Sequence, residues 1–122
     1  MKALVSIITP SYNSANFIAE TIQSVKNQTH QNWEMIIVDD GSSDGTEGVV
    51  LSLIQNDKRI QFHKLSQNSG PAVARNTAIE KATGDYMTFI DADDIWFPTF
   101  IENNIKTIQE TGIPFVFSSY RR

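Results

Sequence analysis

The sequence has no cysteine among its 122 residues, and it has no apolar run long enough to cross a membrane. The absence of thiols excludes a disulfide framework and a thiolate metal site. The apolar segment that ends at Pro10 is short, and no signal-peptide cleavage pattern follows it. These features are compatible with a protein of the cytoplasm.

Three glycine-rich motifs are also missing, and each absence disfavours a class of enzyme. No Gly-x-Gly-x-x-Gly follows the first apolar run, which argues against a dinucleotide-binding dehydrogenase. No glycine loop ending in Lys-Ser or Lys-Thr occurs, which argues against a P-loop enzyme. No Gly-x-Ser-x-Gly occurs, so a serine hydrolase is not expected.

Positive charge is scarce, since 10 basic and 14 acidic residues give a net charge of −4. A nucleic-acid groove requires the opposite balance, so we expect no nucleic-acid partner. Many of the acidic residues fall in two short segments, 39–44 and 91–94. Such clusters suit a small anionic ligand that is bound through a metal ion.

Apolar runs alternate with helical patterns along the chain. Strands are predicted over residues 3–9, 33–38, 60–65, 86–90 and 115–119, and helices over residues 15–28, 71–82 and 98–110. A further helix, which follows the loop at residues 39–46, is predicted to carry Val49, Val50, Leu53 and Ile54. The strands are too uniformly apolar for a half-exposed sheet. We therefore predict an α/β, Rossmann-like fold with a mostly parallel central sheet and helices on both faces. The polar loops after the first, second and fourth strands then lie at the carboxyl end of the sheet, where such folds bind ligands.

Proline, asparagine, serine and glycine residues predict where several elements begin and end. Pro10 is expected to end the first strand, and Asn13 or Ser14 to cap the first helix. Gly84 is the predicted C-terminal cap of the third helix, and Gly112 is predicted to stop the fourth.

Three carboxylates follow the fourth predicted strand almost at once: Asp91, Asp93 and Asp94. Like charges this close repel one another, and a divalent cation removes the conflict. Mg²⁺ and Mn²⁺ prefer oxygen ligands and are often held by one or two carboxylates plus substrate phosphates. The residues alone fit a metal site and, equally, an Asp-rich turn that caps the next helix.

The loop at residues 39–46 is the second acidic segment. A carboxylate at a strand end, such as Asp40, can accept a hydrogen bond from a pyrimidine N–H, and Tyr12 offers a face on which a base could stack. The alternatives are ordinary: Ser43 or Asp44 caps the next helix, and Tyr12 is a half-buried loop aromatic.

Single residues elsewhere carry more than one interpretation. Arg75 either contacts a diphosphate, pairs with Asp40, or is a solvated surface arginine. Trp96 and Phe97 either wall a pocket or belong to the core, and the core is favoured for Phe97.

Taken together, several motifs resemble the family-2 glycosyltransferases. They are Val5-Ser6-Ile7-Ile8-Thr9-Pro10-Ser11-Tyr12-Asn13, Ile37-Val38-Asp39-Asp40-Gly41-Ser42-Ser43-Asp44-Gly45-Thr46, Ala74-Arg75-Asn76, Gly84-Asp85-Tyr86 and Asp91-Ala92-Asp93-Asp94. Their order and spacing span nearly the whole chain. The resemblance implies the GT-A fold, a nucleotide-diphosphate sugar as donor, and transfer with inversion at the anomeric carbon.

The resemblance also implies roles for individual residues. The nucleotide-sugar site would comprise Thr9, Pro10, Tyr12, Asp39, Asp40, Arg75, Asp91 and Ala92. Asp40 would read the base. Asp93 and Asp91 would form an Asp-x-Asp motif that holds Mn²⁺ or Mg²⁺, with Asp94 a weaker candidate.

The same resemblance implies a second half that binds the acceptor and supplies the catalytic base. We therefore expect residues 1–122 to be a single donor-binding domain, and we assign no catalytic residue. The acceptor would be a glycan or a lipid-linked saccharide. A homodimer through an exposed sheet edge is expected, and the location would be the cytoplasm or, in the full-length enzyme, the inner face of the membrane.

UDP is the favoured nucleotide, because an acid that faces an imide N–H suits uracil, while GDP- and dTDP-sugars stay open. A donor-binding module without transfer activity is the second hypothesis. A flavodoxin-like phospho-acceptor domain is the third; it requires a lysine at the sheet end, for which Lys64 is the only weak candidate.

Overall fold

A computed structural model of the chain describes residues 3–112 and 120–121. Its strands are β1 (Val5–Ser11), β2 (Trp33–Asp39), β3 (Ile60–Lys64), β4 (Tyr86–Phe89), β5 (Asp94–Ile95) and β6 (Tyr120–Arg121). Its helices are α1 (Ile18–Lys26), α2 (Thr46–Ile54), α3 (Pro71–Glu80) and α4 (Phe100–Thr111). The strand predicted over residues 115–119 lies outside the described residues.

Four parallel strands form the central sheet in the order β3-β2-β1-β4. The chain first builds outward from β1 to β3 and then returns through α3 to place β4 on the other side of β1. This reversal makes the carboxyl ends of β1 and β4 a topological switch point, where α/β folds bind ligands. Strands β5 and β6 form a separate antiparallel pair.

Helices cover both faces of the sheet, as the sequence predicts. The larger core packs α1, α2 and the start of α4 on one face, around fully buried side chains such as Ile7, Ile22 and Ile37. The smaller core packs α3 on the other face, where Ala74 and Ala78 lie against β1 and β2. Small side chains on α3 permit this close approach to the strands.

Strand β1 runs through Pro10, so the prediction that Pro10 ends it is wrong. The backbone of Ile8 points toward β4, since its carbonyl accepts the N–H of Ile90. Pro10, two residues on, faces the same side. The pairing of β1 with β4 has ended by then, whereas Pro10 still lies opposite Val38 of β2. The missing proline N–H therefore costs no ladder hydrogen bond.

The predicted caps of α1 are also wrong. The helix begins at Ile18, and no side chain caps its first turn. Asn13 instead adopts a positive φ of 47° and bonds the neighbouring loop, and the Ser14 hydroxyl shares a hydrogen bond of 2.7 Å with Ser11. The Asn13 side chain thus joins two loops, whereas the Ser14 side chain ties its loop to the end of β1.

Gly84 does not cap α3, which ends at Glu80. A Cβ at Gly84 would lie 2.6 Å from the Ser6 hydroxyl and 2.8 Å from the Leu4 carbonyl oxygen. Glycine is present there because β1 passes too close for a side chain. The prediction for Gly112 is confirmed: it ends α4 in the left-handed conformation with φ of 74°.

Within the described residues, no helix combines the length and the apolar character that crossing a membrane requires.

Candidate functional site

A cavity of about 530 Å³ opens at the carboxyl end of the sheet. Its volume lies within the range of small-molecule sites. Four loops contribute to it, those that follow β1, β2, β3 and β4. It is lined by Pro10, Ser11, Tyr12, Asn13, Ser14, Phe17, Asp40, Asn68, Gly70, Pro71, Ala74, Asp91, Ala92 and Asp93.

The cavity brings together most of the residues that the sequence nominates for a nucleotide sugar. Those that line it are Pro10, Tyr12, Asp40, Asp91, Ala92 and Asp93. Thr9 and Asp39 are fully buried and do not line it, and Arg75 lies exposed on α3. No ion pair joins Arg75 to Asp40 in the described part of the chain. The interpretation of that pair as a salt bridge is therefore wrong.

Asp39 lies behind the cavity wall and joins the end of β1 to the loop that follows β2. One carboxylate oxygen accepts hydrogen bonds from the hydroxyls of Ser42 at 2.6 Å and Ser11 at 3.2 Å. The other accepts the backbone N–H of Ser42 at 2.8 Å. These hydrogen bonds compensate for the loss of solvent contact at the Asp39 carboxyl group, which is fully buried. They fix the loop after β2 against the end of β1.

Asp40 faces the cavity and is held by the loop that precedes α3. Its two oxygens accept the backbone N–H groups of Ser69 at 2.7 Å and Gly70 at 3.0 Å. Each oxygen of a carboxylate has a further lone pair that can accept another donor. The carboxylate is thus oriented in the wall and keeps acceptor capacity for a ligand.

Gly41 makes the close approach of these two loops possible. It adopts a positive φ of 74°, which glycine tolerates best. A Cβ there would lie 2.9 Å from the backbone nitrogen of Asn68. Any larger residue at this position would push the loop before α3, and hence the groups that hold Asp40, away.

A second set of bonds joins the loop after β1 to the start of α2. Asn13 donates its N–H to the Ser42 hydroxyl at 2.8 Å, and its side-chain oxygen accepts the N–H of Ser43 at 3.0 Å. The prediction that Ser43 or Asp44 caps α2 is wrong, because the N-cap is Gly45 and no side chain caps the helix. Asp44 instead accepts the N–H of Thr46 at 3.0 Å from one position before the cap. The hydrogen bond from the Thr46 hydroxyl is the main cause that lowers the pKa of Asp44.

The three carboxylates after β4 lie close enough to bind one metal ion. Asp91, Asp93 and Asp94 each offer an oxygen within 4.8 Å of the others. They do not cap the next helix, because α4 begins at Phe100 after Thr99. That alternative is wrong. Three oxygen donors at one point are a set that fits Mg²⁺ or Mn²⁺.

Aromatic side chains divide between the cavity and the core. Tyr12 is half exposed on the cavity, as a stacking face requires, and Phe17 also lines it. Trp96 is buried and stacks on Phe100 with ring centres 4.2 Å apart. Phe97 is 66% exposed, so its favoured assignment to the core is wrong. Its neighbour Trp96 fills the core position.

The sequence did not nominate several lining residues. They are Asn13, Ser14, Phe17, Asn68, Gly70, Pro71 and Ala74. The signal for the last four was present, since the polar Asn68-Ser69-Gly70 segment also follows a parallel strand and so ends at the same edge. Phe17 gave no signal, because a single aromatic before a helix has no distinctive pattern.

Lys64, the residue on which a phospho-acceptor domain would depend, does not line the cavity. It is an exposed residue at the end of β3 and lies 3.4 Å from Glu47. The structure therefore gives no support to that hypothesis.

Comparison with known proteins agrees with the architecture. A family model described as Glycosyl transferase family 2 matches residues 6–122. The putative teichuronic acid biosynthesis glycosyltransferase TuaG of Bacillus subtilis (strain 168) is 46% identical over 119 residues, which are 98% of this chain and 47% of TuaG. The chain thus spans about half the length of this relative.

Two solved structures resemble the fold closely. TarS 1–349 of S. aureus, in complex with UDP-GlcNAc, matches with a TM-score of 0.82 and 32% identity over 92% of this chain and 32% of that one. The mannosyltransferase PcManGT of Pyrobaculum calidifontis, in complex with GDP-Man and Mn²⁺, matches with a TM-score of 0.82 and 28% identity over 88% of this chain and 33% of that one. Both are GT-A glycosyltransferases, so the predicted GT-A fold is confirmed. The chain therefore belongs to glycosyl transferase family 2.

Proposed function

We propose that this chain is the donor-binding domain of an inverting glycosyltransferase, which transfers a sugar from a nucleotide-diphosphate donor to an acceptor hydroxyl. One observation carries the proposal: a single cavity holds Asp40 and Tyr12 together with the acidic cluster of Asp91 and Asp93. A nucleotide diphosphate has a base that suits the first pair and phosphates that suit a metal at the second.

The base is assigned to Asp40 and Tyr12. Asp40 is oriented by Ser69 and Gly70 and retains lone pairs for an N–H donor. The imide N–H of uracil fits this acceptor, so UDP is the preferred nucleotide. TarS, solved with UDP-GlcNAc, supports this choice, and PcManGT, solved with GDP-Man, keeps guanine as the alternative.

The metal is assigned to Asp93 and Asp91, with Asp94 completing the cluster. When bound, Mn²⁺ or Mg²⁺ would neutralise charge on the departing diphosphate as a Lewis acid. PcManGT, solved with Mn²⁺, supports the assignment. Asp91 and Ala92 border the same part of the cavity, and we place the ribose and diphosphate beside them.

The remaining nominated residues have supporting positions. Asp39 and Thr9 lie behind the wall, and we assign them to positioning the loops. Arg75 lies one turn beyond Pro71, which lines the cavity. We retain Arg75 as a contact of the bound diphosphate.

The acceptor and the catalytic base are assigned to parts of the enzyme outside these 122 residues. The base must deprotonate the acceptor hydroxyl as it attacks the anomeric carbon. TuaG, named for teichuronic acid biosynthesis, supports a glycan as acceptor, and a lipid-linked saccharide is our alternative proposal. We propose that transfer takes place in the cytoplasm, at the inner face of the membrane.

Calorimetry of UDP binding tests the proposal, with Mn²⁺, with Mg²⁺ and with a chelator. The wild type is compared with Asp93→Ala and with Glu80→Ala, a control that removes an exposed carboxylate at the end of α3. We expect metal to strengthen binding in the wild type and in the control, and Asp93→Ala to lose that gain.

Metal-independent binding that survives Asp93→Ala would reject the metal assignment and leave a base pocket at Asp40. Absence of UDP and GDP binding in a folded sample would reject the proposed donor class. Binding of an intact UDP-sugar without transfer by the full-length enzyme would favour a donor-binding module.

A further inference from the structure

Helix α1 and the two residues that follow it carry a row of buried polar side chains that face the segment with the acidic cluster. The row consists of Thr21, Ser24 and Gln28, which have exposed fractions of 0%, 8% and 1%. Their spacing of three and four residues places them along one side of the helical path. Polar groups this deeply buried need partners, and all three find them in residues 92–101.

Thr21 bonds the backbone on both sides of Asp93. Its hydroxyl oxygen lies 2.9 Å from the carbonyl oxygen of Ala92 and 2.7 Å from that of Asp94. A hydroxyl has one hydrogen, so the two carbonyls share it. The peptide unit before Asp93 and the peptide unit after Asp94 therefore both point a carbonyl toward α1 and are held by one side chain.

Ser24 and Gln28 hold the chain further along. The Ser24 hydroxyl accepts the N–H of Trp96 at 3.2 Å. The Gln28 amide donates to the carbonyl of Phe97 at 2.7 Å and accepts the N–H of Ile101 at 3.0 Å. These bonds lie beyond the acidic residues and fix the approach to α4.

We propose that Thr21 is a positioning residue for the metal site, and this inference rests on the proposed function. Mg²⁺ demands near-ideal octahedral geometry, so the carboxylates must be held in place before the ion binds. Residues that orient metal ligands typically raise metal affinity by roughly ten- to a hundredfold. Without the hydroxyl, the carbonyls of Ala92 and Asp94 lose the bond that ties this segment to α1, so the acidic cluster is held less firmly.

The test measures the contribution of the metal to UDP binding separately from the contribution of the nucleotide itself. The dissociation constant of UDP is measured in saturating Mn²⁺ and in a chelator, and their ratio gives the gain that the metal provides. Free Mn²⁺ is titrated in parallel by electron paramagnetic resonance, without nucleotide. Thermal unfolding reports the stability of each variant.

Three variants are compared with the wild type. Thr21→Val keeps the shape and removes the hydroxyl, Thr21→Ser keeps the hydroxyl, and Ser24→Ala removes a buried hydrogen bond beyond the acidic cluster. We expect Thr21→Val to reduce the metal-dependent gain about tenfold with the chelator value unchanged. Thr21→Ser and Ser24→Ala should retain the gain, although Ser24→Ala also lowers the unfolding temperature.

If Thr21→Val weakens UDP binding equally with and without metal, as a general loss of stability would, the inference is overturned. An unchanged gain in Thr21→Val overturns it as well. If the wild type shows no gain, the proposed metal site itself fails, and this inference fails with it. Should Thr21→Val not fold, Thr21→Cys is the milder variant, since a thiol is only a weak donor, and the same comparison applies.

Discussion

Two adjacent aspartates at the end of β2 have different surroundings and, we argue, different roles. Asp39 is enclosed and bonds Ser42 and Ser11, whereas Asp40 lines the cavity and bonds Ser69 and Gly70. An amide at position 40 would bring its nitrogen against a backbone N–H, since both oxygens of Asp40 face one. An amide at position 39 would replace the oxygen that accepts the Ser42 and Ser11 hydroxyls. Similar stability costs with different effects on binding are therefore expected.

We predict that Asp39→Asn and Asp40→Asn each reduce the free energy of unfolding by about 1–3 kcal/mol. Only Asp40→Asn is expected to weaken UDP binding by about tenfold or more, since it removes an acceptor at the proposed base site. Urea denaturation and calorimetry measure the two effects. Equal losses of UDP affinity in both variants would show that Asp40 has no direct role.

Glu34 supplies a pH dependence at the opposite end of the sheet. Burial raises the pKa of this carboxyl, but hydrogen bonds from Ser6 and from the backbone and hydroxyl of Thr83 outweigh it and hold the pKa below its ordinary value of 4.5. A lowered folded pKa means that the stabilisation is complete above the unfolded pKa and is lost as pH falls through the folded pKa.

We therefore predict that Glu34→Gln costs stability near neutral pH and that its difference from the wild type shrinks below an ordinary carboxyl pKa. Urea denaturation across an acidic pH series measures the difference. If the two unfolding free energies differ by the same amount at every pH, ionisation of Glu34 makes no contribution to stability.

At the scale of elements, two glycines allow two effects on stability to be compared: the cost of a steric clash at Gly84 and the gain in helix propensity at Gly48. Gly84 lies against Ser6 and Leu4, with no room for a Cβ, whereas Gly48 in α2 has open space around it. Gly84→Ala should destabilise the protein by about 1–3 kcal/mol because backbone atoms must move. Gly48→Ala should stabilise it by about 0.5–1 kcal/mol because alanine favours the helix. Thermal unfolding of both variants checks the signs, and a stabilised Gly84→Ala would refute the close approach.

The sequence predicts the alternation of strands and helices because that information is local. Apolar runs form the strands of a buried sheet, and Pro71 and Gly112 mark helix ends through their own backbone preferences. The predictions that are wrong concern residues whose role depends on contacts with residues far away in the sequence. Asn13 bonds a loop about 30 positions away, and Gly84 meets a strand about 80 positions away. The wrong prediction for Phe97 has a local cause. Phe97 directly follows the buried Trp96, and its own side chain points into solvent.

At the scale of the molecule, topology explains why widely separated residues share one cavity. In a parallel sheet every strand ends at the same edge, so Tyr12, Asp40 and Asp91 meet although loops and helices intervene. This convergence could be predicted from sequence. The contribution of the loop before α3 could not be weighed in advance, because only the structure shows Ser69 and Gly70 donating to Asp40.

Among the described residues, β4 is the last strand of the sheet on the side of β1 away from β2, and the prediction of self-association concerns this strand. Tyr86 and Ile90 donate their N–H groups to β1, at Leu4 and Ile8. Met87 lies between them and therefore directs its backbone away from β1. Over the described residues, β4 pairs with β1 alone. A strand whose backbone is paired on one side only is a template for pairing with a second copy.

We predict that the protein forms a dimer through β4 at high concentration and that Met87→Pro prevents it. Proline lacks the N–H that the second copy would use, while the bonds of Tyr86 and Ile90 to β1 remain. Sedimentation velocity over a concentration series measures the assembly, with near-ultraviolet circular dichroism to confirm that the variant is folded. A wild type that stays monomeric throughout would refute the dimer. A folded Met87→Pro that associates as the wild type does would move the contact to another surface.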